Sequence, residues 1–239
     1  MTAKAASWWG LVTALASVAL PGAGQAQVGA FGGYYSSGTD QFNYVLNRIQ
    51  MQTITRNAER RAGQRPAAPA ATPASTVVGR SVQPVAPARL AAHYPAQHRA
   101  EAARTFHRVL DGYYQVETRL GIPKGDMAGA MAALIAGSWS ACRDREIVDG
   151  HFVKVADQLR GAIGRDPRFA QVAAADRQMA YEQYAILGTE LALVRMALQK
   201  QPDPAMRRRA CDAGRSYLSQ FGLDPEQLDI TAQGLAQAG

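Results

Sequence analysis

The chain has little of what most enzyme and metal-site signatures require. Only two cysteines occur, Cys142 and Cys211, and no CxxC spacing exists, so neither a redox dithiol nor a zinc ribbon is expected. Histidine is restricted to positions 93, 98, 107 and 151. No HExxH, GxSxG, phosphate-binding loop or dinucleotide fingerprint is present. Lysine is scarce too: of 26 basic residues only Lys4, Lys124, Lys154 and Lys200 are not arginine. Beyond residue 26 no uncharged run approaches the ~20 residues that span a bilayer, so no membrane segment is expected there.

What is present begins with an apolar start. Lys4 precedes a charge-free run from Ala5 to Leu20, Pro21 and Gly22 interrupt it, and Gly24-Gln25-Ala26 places small residues before Gln27. This is the pattern of a cleaved secretory signal peptide over residues 1–26, and it predicts a periplasmic or secreted protein. In an oxidising compartment an isolated cysteine pair is most simply a disulfide. A Cys142–Cys211 bridge would close a loop of about 70 residues, worth about 4 kcal/mol on the chain-entropy model.

The net charge of +7 is unevenly placed. Residues 27–92 hold Arg48, Arg56, Arg60, Arg61, Arg65, Arg80 and Arg89 against Asp40 and Glu59. Such a region meets anionic surfaces or serves as a solubilising linker. Export argues against nucleic acid. Residues 27–95 read as a mostly disordered, Gly/Ser-rich and then Pro/Ala-rich region, with Ala62–Ala92 an extended linker. One segment within it differs. Phe42, Val45, Leu46 and Ile49 form a helical stripe, so residues 41–61 are expected to make a short amphipathic helix. Phe42, Leu46 and Ile49 are its candidate contacts, with a protein partner or with the chain's own domain.

From residue 96 to 231 the pattern is helical, and an all-α bundle of about five helices is expected. The helices are placed at about 97–120, 127–141, 150–163, 175–199 and from 204 to a stop at Gly222. Asp126, Asp166-Pro167 and Asp203-Pro204 supply starts, and Gly121 supplies a stop. The second helix is uncharged and repeats small residues every fourth position: Gly125, Gly129, Ala133, Gly137 and Ala141. It reads as the buried central helix, able to accept another helix at close range. Residues 232–239 read as a tail.

Candidate chemistry is sparse. His107 and Asp111, with His98 or Glu101, have helical spacing for a metal, but Phe106 and Val109 define the buried stripe and place His107 on a solvated flank. No metal and no cofactor are expected. Glu182 and Glu190 lie two turns apart in apolar surroundings and are the nearest approach to a carboxylate pair; structural pairing is the expectation. Tyr113, Trp139, Tyr181 and Tyr184 are candidate pocket residues for a small apolar ligand, although aromatics at this spacing usually form core. Arg207-Arg208-Arg209 opposes the helix dipole at the start of the fifth helix, a candidate anion or partner contact.

The Asp126-Met127-Ala128 start, Phe169, the run from Gln178 through Tyr181-Glu182-Gln183 to Gly188, and Tyr217-Leu218 with the later Gly222-Leu223-Asp224-Pro225 resemble an uncharacterised family of exported bacterial helical proteins. The resemblance implies export and a helical fold. It implies no activity and no catalytic residues. The function expected is therefore a non-enzymatic interaction or accessory module of the cell envelope, with carriage of a small apolar ligand as the alternative.

Overall fold

The computed structural model describes residues 74–238. The expected signal segment and the stripe of Phe42, Leu46 and Ile49 lie outside the described residues. Seven α-helices follow one another: α1 (Ala86–Ala91), α2 (Arg99–Leu120), α3 (Met127–Arg143), α4 (Asp149–Gly164), α5 (Pro167–Gln171), α6 (Ala174–Lys200) and α7 (Pro204–Gln220). A 3₁₀ turn (Ala96–His98) leads into α2. The chain ends in an antiparallel hairpin of β1 (Leu228–Thr231) and β2 (Gly234–Gln237), with Leu228 opposite Gln237 and Thr231 opposite Gly234.

The expected punctuation holds. Asp126 caps α3 by accepting from Gly129 N at 3.2 Å. Asp203 caps α7 by accepting from Ala205 N and Met206 N at 2.9 and 3.0 Å, with Pro204 at the first helical position. Gly121 closes α2 in the left-handed conformation, φ 66°.

α3 is the central helix, buried at every residue from Met127 to Ala141, with α4, α6 and α7 packed around it. Its small residues are what allow this. A Cβ added at Gly137 would strike the backbone of Gly188 on α6, and one added at Gly188 would strike the backbone of Ala133 and Leu134. A Cβ at Gly214 on α7 would sit 2.8 Å from the Ser138 carbonyl. The three helices therefore meet backbone to backbone. Cys142, near the end of α3, is bonded to Cys211 in the middle of α7, closing a loop with a sequence separation of 69.

Two expectations are corrected. Residues 74–95, expected to be part of a flexible linker, belong to the folded body. Thr76, Ala86, Leu90 and Ala91 are buried, and Pro87 sits in the first turn of α1. Composition understated this segment because it contributes hydrogen bonds and a single helical turn, not a long apolar face. Residues 232–239 are not a loose tail: Gly234–Gln237 pairs with β1, and Leu235 N donates to Gln158 Oε1 at 2.7 Å. The middle of α6 is enclosed on all sides. From Met179 to Ala192 every residue is buried, including Glu182, Gln183, Thr189 and Glu190.

The glycine contacts make a direct prediction. Gly188→Ala should destabilise the protein by about 2 kcal/mol through overpacking, although alanine is the better helix former by about 1 kcal/mol. Gly150→Ala, where an added Cβ meets nothing within 4 Å, should be neutral or stabilising. Urea unfolding of the two variants against the parent checks both.

Candidate functional site

The candidate pocket residues Tyr113, Trp139, Tyr181 and Tyr184 are packed in the core. Tyr113 and Tyr181 meet edge to face at 6.2 Å, and Tyr184 meets Phe221 at 5.8 Å. Trp139 donates its indole N–H to the Leu228 carbonyl at 2.8 Å, with the Arg145 guanidinium 5.4 Å from its ring. All four are core residues with at most 2 % exposure. The small-residue face of α3 accepts other helices at close range, as expected, and is covered by the backbones of α6 and α7.

The carboxylates also take unexpected positions. Glu182 does not pair with Glu190 as an acid–base couple. Its Oε2 accepts from Val85 N at 2.9 Å and Ala86 N at 3.0 Å, capping α1 from across the chain. Its Oε1 accepts from Gln178 Nε2 at 2.8 Å. Glu190 is buried on the same helix with no ionic partner among the described residues, and burial raises its carboxyl to about 7. Arg207 is an ion-pair partner of Asp144, which also receives Arg195 at 3.4 Å and Gln199 at 2.6 Å. Arg208 and Arg209 are exposed. His107 is exposed on the outer side of α2, as the stripe predicts.

The residue that sequence reasoning missed is Glu117. It lies on α2 beside Tyr113 and Val116, inside the apolar stripe, and that placement was the only signal for it. Its side chain is fully buried. Arg80 Nε and Nη2 both donate to its Oε2, at 3.0 and 2.7 Å. Tyr181 Oη donates to Oε1 at 2.9 Å, and Gly125 N donates at 3.1 Å. Burial raises its carboxyl above the ordinary range, while the bonds from Arg80, Tyr181 and Gly125 pull the other way. The same burial holds the Tyr181 and Tyr113 phenols well above their usual range and lifts Tyr114 to about 12, so all three are neutral at physiological pH and Tyr181 keeps the proton it donates to Glu117. Tyr113 Oη itself is buried with no hydrogen-bond partner among the described residues, in a space that Gly129 leaves open.

Glu117 and Glu182 belong to a larger arrangement. Residues 74–86 run as an extended strap past the end of α4 and the head of α3 and along α2 and α6, and buried carboxylates hold it at three points. Asp126, buried at the head of α3, accepts from the Thr76 hydroxyl and from Arg160 Nη2 at 2.7 Å. Between these anchors the backbones pair: Val78 N donates to Gly125 O at 2.9 Å, and Met127 N to Thr76 O at 3.0 Å. Glu117 then takes Arg80, and Glu182 takes the Val85 and Ala86 amides. Gly125, at φ +76°, is required here, because a Cβ would drive into the backbone of Gly79 on the strap.

A family model described as "Family of unknown function (DUF6683)" matches residues 9–237, and the chain belongs to that family. No curated protein and no solved structure matches it.

The buried acid of α6 that lacks an ionic partner among the described residues, Glu190, sets a pH dependence. The folded Glu190 carboxyl titrates near 7 and the unfolded one near 4.5, so its neutral form suits the fold and its charged form does not. That contribution is complete below about pH 4.5 and is lost as pH rises through 7. The loss is roughly 3 kcal/mol. Glu190→Gln should therefore stabilise the protein at pH 8 by that order and leave it nearly unchanged at pH 4, measured by urea unfolding at the two pH values.

Proposed function

We propose that this member of the DUF6683 family is an exported, non-enzymatic protein, an interaction or accessory module of the bacterial cell envelope that works in the periplasm or outside the cell. One observation carries the non-enzymatic reading. Of the buried acids, Glu190 is shifted by burial alone, with no charged group beside it among the described residues to make an acid–base pair, and Glu117, Asp126 and Glu182 are each engaged by amides, hydroxyls or arginines that hold the chain together. A carboxylate so engaged has no free oxygen to exchange a proton with a substrate.

The remaining support comes from location and charge. The Cys142–Cys211 bridge suits an oxidising compartment, and the signal-like residues 1–26 suit export. Among the described residues no helix is long and apolar enough to cross a membrane. The excess of arginine between residues 27 and 73 gives that region the charge to meet an acidic partner or surface, and the stripe of Phe42, Leu46 and Ile49 supplies an apolar face beside it.

The test is a cross-linked pull-down from the native host, comparing residues 27–239 with the same chain lacking 27–73. The cut falls at 73 because removal to residue 92 would strip partners from Glu117, Asp126 and Glu182 and unfold the body. Loss of a specific partner on truncation, with an unchanged circular dichroism melt, is the expected result. Retention of the same partner set by the truncated chain overturns the assignment of that region.

A further inference from the structure

We draw no further inference here: the strongest candidate, the Glu190 carboxyl buried midway along α6 with no ionic partner among the described residues, is displaced from its ordinary range by burial alone, and nothing in the structure beside it points to a ligand, a substrate or a moving element.

Discussion

Helices can touch backbone to backbone only where neither carries a side chain, and the whole domain is arranged around one such contact. Gly137 on α3 and Gly188 on α6 face each other, with Ala133 beside them, so the two helices close until carbonyls and Cα atoms meet. α7 joins on a neighbouring face of α3 through Gly214 and is then bonded covalently at Cys211. Dispersion contacts are dense at such a seam, because each atom has neighbours at close range and no void separates them. The cost is specificity of a strict kind. One methyl group at either glycine meets backbone, which cannot move aside as a flexible side chain would.

That contact fixes where polar groups have to go. With α3 buried on all sides and α6 wrapped for more than half its length, acids on α2 and α6 are carried into the interior by the helices that bear them. Buried charge is tolerated when it is met by donors. Glu117 and Glu182 obtain part of theirs from the bundle, from Tyr181, Gly125 and Gln178, and the rest from a segment more than thirty residues earlier in the chain than Glu117 and nearly a hundred earlier than Glu182. The strap and the buried carboxylates are therefore one feature. Without the acids the strap would keep only its backbone bonds, and without the strap Glu117 would lose its one charged partner and Glu182 its two amides. Glu190 shows the contrast: buried on the same helix as Glu182 with no ionic partner, its carboxyl rises to about 7.

Much of the helical body was legible from residues whose physics is local. Asp before Pro, Gly after a periodic run and a four-residue repeat of Gly and Ala each determine structure within a turn or two of themselves. The Asp126, Asp166 and Asp203 caps, the Gly121 stop and the central position of α3 follow from them. The cysteine pair was legible because two cysteines leave one pairing. The features that were not legible depend on distant partners. Thr76, Arg80 and Val85 sit in a stretch whose Ala and Pro content suggests no fold, and only the acids of α2, α3 and α6 give it one. Glu117 stood in a buried stripe with nothing nearby in sequence to pair it. Arg207 was read against its own helix dipole, whereas Asp144, more than sixty residues earlier, meets it. Strands of four residues containing Gly and Gln carry too little alternation to announce β1 and β2.

The division between the two kinds of contact also divides what the domain can do. Apolar seams such as α3–α6 are matched to one partner and lose their fit on any change, so they are suited to holding a fixed shape. Hydrogen-bonded anchors on a strap are different. Each is a set of donors and acceptors, and the pairing at Gly125–Met127 is made by backbone, so it does not depend on side-chain identity. The apolar seams set the positions of the helices, and the positions of the helices bring Glu117, Asp126 and Glu182 to where the strap's hydroxyl, guanidinium and amides meet them.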